Sequence, residues 1–203
     1  MQILLATGEA TVEVKKSRFI ATVHLVSSVE EVKQLVTQKR KEHPRSRHVV
    51  HAAVIGNEGE IYSASDDNEP KNTAGRPVLE VLKGANLTNT CIIVVRYFGG
   101  TLLGTGGLVR AYQDAAKAVL DGLPTERLVE KSSVTVKLDY DVYESVKLFL
   151  KSEALALEEE FGSQVTLTIT SETSQCEDLL EQLKEATHGR VTVLSTEGPS
   201  VSP

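Results

Sequence analysis

The chain has 203 residues, 40% of them hydrophobic and 25% charged, with a formal net charge of −6. The length suits two compact domains, the composition is that of a globular protein, and no apolar run nears the ~20 residues of a membrane span. An acidic total argues against broad non-specific nucleic-acid binding, which rests on phosphate neutralisation. The charge is uneven, however. Residues 1–125 carry 15 Lys+Arg against 13 Asp+Glu, a net of +2, and residues 126–203 carry 7 against 15, a net of −8. Two cysteines make no disulfide framework. The opening Met1-Gln2-Ile3-Leu4-Leu5-Ala6 lacks the basic region of a secretory signal. Both features point to the cytoplasm.

In chain order, Thr11–Val14 and Phe19–Val26 read as strands joined by Lys15-Lys16-Ser17-Arg18. Ser28-Val29-Glu30-Glu31 is a capping box opening a helix whose buried side is Val29, Val32, Leu35 and Val36. Lys39-Arg40-Lys41 sits where cations favour a helix C-terminus, whereas Arg45, Arg47 and His48 lie past its end at Pro44. His48–Ile55 and Glu60–Ala64 form a hairpin about Gly56–Gly59. Residues 65–73 are too polar for a core and read as a surface loop. Thr73 caps the next helix, Pro77 fits its first turn, and Gly84 supplies its C′ position.

Cys91–Val95 is a continuous apolar run, read as a strand buried on both faces. Arg96, Tyr97 and Phe98 end it, and Gly99, Gly100, Gly104, Gly106 and Gly107 follow. After Gly107 a helical period sets in, with Leu108, Tyr112, Ala115, Ala116, Val119 and Leu120 on one face. Near Gly122-Leu123-Pro124 the pattern breaks and the charge balance changes, which sets domains at 1–123 and 127–196. The second half reads strand, helix, strand, strand, helix, strand, a split βαβ or ferredoxin-like order. In it Val134, Val136, Leu138 and Tyr140 alternate, and Asp141 and Ser174 open its helices. Residues 197–203 read as a flexible tail.

The glycine segment is neither a Walker A loop nor a dinucleotide fingerprint, because no Lys-Ser/Thr follows and the spacing is wrong. It offers amides at a helix N-terminus, an anion site of Gly99, Gly100, Gly104, Thr105, Gly106 and Gly107 flanked by Arg96 and Arg110. Tight packing of the loop is the competing explanation. Thr73, Gly75 and Arg76 open another helix and make a second anion site. Tyr97, Phe98 and Tyr112 have faces for base stacking, although core packing competes and Tyr97 is the preferred exception. Asp66, Asp67 and Glu69 are candidate Mg²⁺ ligands, set against a solvated acidic loop. No nucleophilic triad can be assembled, and Cys91 is expected to be buried and inert.

Arg96–Tyr112, R-Y-F-G-G-T-L-L-G-T-G-G-L-V-R-A-Y, and Asp66–Pro77, D-D-N-E-P-K-N-T-A-G-R-P, resemble the YigZ/IMPACT family, as do Lys16-Ser17-Arg18-Phe19 and His48. The resemblance implies a ribosomal protein S5 domain-2-like first domain of α/β class. It implies a ferredoxin-like second domain similar to C-terminal domains of elongation factor G. Eukaryotic members regulate translation by opposing activation of the kinase that phosphorylates initiation factor 2, partly through an RWD domain with no counterpart in this chain, and bacterial members supply no reaction. The family commonly has glycine where this chain has Asn68 and Asn72, and Asn is the next best residue for positive φ.

The resulting expectation is an RNA- or ribosome-associated binding protein. Its anion site joins His48 to the residues above, with a basic patch of Lys16, Arg18, Arg45 and Arg47. The alternative is an enzyme acting on a phosphorylated small molecule or nucleotide, with Mg²⁺ as a possible cofactor.

Overall fold

The computed structural model describes residues 1–201, in two compact units, residues 1–128 and residues 129 onward. The first contains β1 (Gln2–Leu4), β2 (Gly8–Val14), β3 (Ser17–Leu25), α1 (Val29–Glu42), β4 (His48–Ile55), β5 (Ile61–Ser65), α2 (Gly75–Gly84), β6 (Thr90–Tyr97), α3 (Gly104–Leu120) and β7 (Thr125–Arg127). Its main sheet has the order β2-β3-β6-β4-β5, and each neighbouring pair is antiparallel. One face of that sheet, with Phe19, Ala21, Val23, Val50, Ala52, Ile92 and Val94, packs against α2 and α3. The other, with Ile20, Val49, Ala53, Cys91, Ile93 and Val95, packs beneath α1. Both faces being covered, the central strand β6 needs an unbroken apolar run, and Thr90 to Arg96 are all buried. A buried β-branched or Leu side chain contributes about 1.5–3 kcal/mol, so this three-layer core dominates the unit.

Ser28 caps α1 by accepting from the Glu31 amide at 3.3 Å. The return bond differs from the expected box, because the Glu31 carboxylate takes the amide and hydroxyl of Ser27 at 2.7 and 2.9 Å. Gly84 is the last residue of α2 rather than its C′ glycine, and Asn86 supplies the positive φ at 56°. Helix α3 starts at Gly104, so three of the five glycines form its first turn, and the loop proper is only Phe98–Leu103. Strand β7 pairs with β1, Gln2 opposite Arg127 and Leu4 opposite Thr125, which carries the first unit through Leu128.

The second unit runs β8 (Glu130–Leu138), α4 (Tyr140–Glu153), β9 (Ala156–Phe161), β10 (Val165–Glu172), α5 (Thr173–Ala186) and β11 (Val191–Val201). Its sheet, β11-β8-β10-β9, is antiparallel throughout. Val134, Val136, Leu138, Leu167 and Ile169 pack on Val146, Leu150, Leu179 and Leu183 of the two helices. Tyr140 opens α4 instead of ending the strand and stacks on Phe161. Asp141 makes no cap and pairs with Arg190 at 2.6 Å. Helix α5 begins at Thr173, which puts Ser174 inside its first turn. The expected flexible tail from residue 197 instead continues β11, with Glu197 opposite Ser133 and Val201 opposite Glu130, because β8 offers a free edge along its whole length. Residues 202 and 203 lie outside the described residues. Among the described residues no helix is long and apolar enough to cross a membrane.

Candidate functional site

The 65–73 segment is folded around its carboxylates. Asn68 and Asn72 adopt φ of 65° and 62°, so asparagine does hold the two positive-φ positions expected of it. Asp66 Oδ1 accepts from the amides of Ala74 and Gly75 at 3.0 and 2.9 Å, and its Oδ2 accepts from Asn72 at 2.7 Å. Thus the N-terminus of α2, expected as a second anion site of Thr73, Gly75 and Arg76, already holds an anion from its own chain. Thr73 does not cap it; its hydroxyl donates to the Pro70 carbonyl at 2.6 Å. Gly75 is required by packing, since a Cβ there would come within 2.7 Å of the Ser65 backbone. Asp67 accepts from the Val49 amide and pairs with Arg40, both at 2.6 Å.

Glu69 corrects the surface-loop reading most sharply. Its side chain is 3% exposed, and Oε1 accepts from Arg96 Nη1 at 2.6 Å and from the Tyr112 hydroxyl at 2.8 Å. Arg96 follows Ile92 and Val94 on the α2/α3 face of β6, which makes its guanidinium inward and 6% exposed. It spans Glu69 and Ser17, with Nη2 3.5 Å from Ser17 Oγ, and lies over the rings of Phe19 and Phe98 at 5.3 and 5.8 Å. Ser17 also receives the Gly99 amide at 3.1 Å. Burial, the charge of Glu69 and the hydrogen bond to it all push the Tyr112 hydroxyl pKa up, so it stays a donor. Such a pair contributes little net stability but is costly to break, because either partner alone is a buried charge.

His48, opposite Arg96 across the β4–β6 ladder, holds the Asp67 carbonyl through Nδ1 at 2.7 Å. Its Nε2 lies 3.7 Å from Glu69 Oε1. Above this floor is a cleft of about 330 Å³, where the two motif loops meet: Asn68, Glu69 and Pro70 on one side, Phe98 and Leu102 to Thr105 on the other, with Arg47 at the rim. Arg47 is exposed and lies 5.5 Å over the Phe98 ring. Helix α3 begins here with Leu103 at its N-cap, a residue that gives no side-chain cap, and Gly104, Thr105 and Gly106 are exposed. The first amides of a helix have no partner within it.

The glycines divide by cause. A Cβ on Gly99 would lie 2.1 Å from the Lys16 carbonyl carbon, so that position is glycine for close backbone approach. Gly104 has φ of +73°. Gly106 has neither reason, since a Cβ there would meet nothing within 4 Å.

Of the expected site residues, the cleft gathers Arg47, His48, Glu69, Arg96, Gly104 and Thr105. Arg96 is not a free anion ligand, because Glu69 occupies it. Arg76, Arg110 and Arg45 are exposed and outside the cleft lining. Tyr97 sits on the α1 face with Arg18 over its ring and its hydroxyl 2.9 Å from His43, so the exposed aromatic in the cleft is Phe98 instead. Tyr112 is wholly buried. Asp66, Asp67 and Glu69 point to separate partners, and among the described residues no group of three or more His, Cys, Asp or Glu is placed to hold a metal ion. Burial raises the Cys91 thiol to about 12. Glu69 as the hub and Ser17 as its third wall were missed by sequence reasoning. A tyrosine on an otherwise apolar helix face was the available signal, since its hydroxyl needs a buried partner.

Fold and cleft together define a two-unit α/β protein whose first unit carries a polar-floored, glycine-edged cleft. Residues 15–120 match the family described as the Impact N-terminal domain, and residues 136–190 match a domain of unknown function (DUF1949). The chain is 35% identical over 187 residues to IMPACT family member YvyE of Bacillus subtilis, covering 90% of this chain and 85% of the relative. It is 32% identical over 188 residues to IMPACT family member YigZ of Escherichia coli, covering 91% and 92%. A crystal structure described as that of a hypothetical protein matches with a TM-score of 0.63 at 31% identity, over 96% of both chains. The chain belongs to the IMPACT family.

Proposed function

We propose that this protein is a translation- or RNA-associated binding protein whose first unit receives a backbone phosphate of RNA in the cleft. The observation that carries this reading is the uncapped, exposed first turn of α3, opening on the cleft rimmed by Arg47 stacked on Phe98. Amide donors, the positive end of the helix dipole and a rim cation suit a phosphate, and an exposed aromatic suits a base. Arg45, exposed and two residues from Arg47, adds positive charge to the same segment outside the cleft lining. We also infer an S5 domain-2-like first unit and a ferredoxin-like second unit. In support, the second unit has βαββαβ order with its strands arranged fourth, first, third, second, all antiparallel. The resemblance to elongation factor G domains supports an association with the translation machinery of the cytoplasm.

An enzyme acting on a phosphorylated small molecule or nucleotide is the second reading, favoured by the buried Glu69, Arg96 and His48 under so small a cleft.

The test is anisotropy of labelled single-stranded RNA across a salt series. Binding should weaken as salt rises, and Arg47→Ala should reduce the slope of log affinity against log salt by about one. Absence of binding, or a slope untouched by Arg47→Ala, overturns the reading.

A further inference from the structure

His48 is built into the cleft in a way that phosphate binding alone does not require. Its side chain is 9% exposed, and it is held at the first position of β4, on the same face of the sheet as Arg96. The Asp67 carbonyl beside Nδ1 can only accept, so Nδ1 carries a proton and donates it at 2.7 Å. That bond fixes the plane of the ring and, for the neutral ring, its tautomer, in which Nε2 is a lone-pair acceptor. Glu69 cannot supply a donor to Nε2, because its carboxylate is itself an acceptor. Its Oε1 lies 3.7 Å away and is filled by Arg96 and Tyr112. The cleft therefore combines two complementary demands. The α3 first turn asks for an acceptor such as a phosphate oxygen, and neutral His48 asks for a hydrogen-bond donor.

Resting on the phosphate reading above, we propose that the cleft selects ribonucleotides, with a phosphate on the first turn of α3 and a ribose 2′-hydroxyl donating to His48 Nε2. In a nucleic acid the donor nearest a backbone phosphate is the 2′-hydroxyl, and DNA lacks it. A neutral hydroxyl also fits the floor, where the Glu69 charge is already matched by Arg96. The cleft volume of about 330 Å³ suits one nucleotide rather than a duplex groove. Phe98, 40% exposed, and Leu102, 83% exposed, give its base an apolar surface. The same chemistry is offered by an RNA strand and by a free ribonucleotide.

The experiment compares a labelled single-stranded RNA with the DNA of the same sequence on the full chain, at one salt concentration and again across a salt series. A ribonucleoside 3′-monophosphate serves as competitor. The RNA should bind about five- to tenfold tighter than the DNA, the return from one well-placed hydrogen bond, and His48→Phe should bring the ratio close to one. The wild-type ratio needs no variant, so it decides the matter even where His48→Phe fails to fold. Displacement of RNA by the monophosphate identifies the single nucleotide as sufficient. A retained RNA preference without displacement identifies the strand as the source, and both outcomes support the proposal. Equal, salt-sensitive binding of RNA and DNA overturns the role of His48 and leaves the phosphate reading standing. Binding of neither overturns both.

Discussion

Helices α2 and α3 start from the same end of one sheet, since β5 and β6 each run antiparallel to β4 and therefore parallel to one another. Neither has a capping side chain at its own N-cap, Ala74 in one and Leu103 in the other. The first nevertheless holds a carboxylate, because Asp66 reaches across from the preceding loop to the Ala74 and Gly75 amides. The second ends in exposed glycines above a cleft. A helix start is satisfied by an anion from any source. Here one anion is a carboxylate of the chain, and the other start is the one proposed above to take a phosphate. The two termini also share a floor, because Glu69 comes from the loop before α2 and Arg96 from the strand before α3.

Breaking that floor should have the largest effect. Glu69→Ala leaves Arg96 as an unpaired buried cation and should cost about 3–5 kcal/mol in urea unfolding; a loss below about 1 kcal/mol would mean that the guanidinium finds water and is free for ligands. Next comes the filled terminus. Asp66→Ala should cost about 2 kcal/mol, the upper end for a helix cap, while RNA affinity per folded molecule stays constant. An affinity that falls in step with stability would show the two helix starts to be coupled. The smallest stability change belongs to the open terminus. Thr105→Asp adds an acid to the first turn of α3 and should stabilise by about 0.3–1 kcal/mol while weakening RNA binding. Unchanged binding would remove α3 from the site and end the contrast between the helices.

Much of this arrangement was legible in the chain because it rests on local rules. Positive-φ asparagines at 68 and 72, the doubly buried run from Cys91, and the strand starting at His48 each follow from residue type and period. Even the inward direction of Arg96 follows from its parity with Ile92 and Val94. Its partner did not, since Glu69 lies 27 residues away in a stretch whose polarity reads as solvent-facing, and an ion pair across that distance leaves no periodic trace. The cap of α2 was misplaced onto Thr73 for a similar reason. Capping rules look one residue before a helix, whereas Asp66 acts from eight and nine residues upstream of the amides it holds. The strand hidden in residues 197–201 lacked apolar alternation because its backbone pairing with β8 needs none.

The short β1–β7 ribbon carries a consequence for how the first unit can be cut or rewired. Leu128 donates its amide to the Met1 carbonyl at 3.1 Å and Leu5 donates to Pro124 at 3.0 Å, so the two ends of this unit are stitched side by side. A fragment ending at residue 123 would strip β1 of its partner, while one ending at residue 128 keeps it. With its ends adjoining, the unit is topologically a ring with one nick. A short linker from residue 128 to residue 1 would let the nick be moved to the Gly56–Gly59 turn, at the opposite end of β4 from His48.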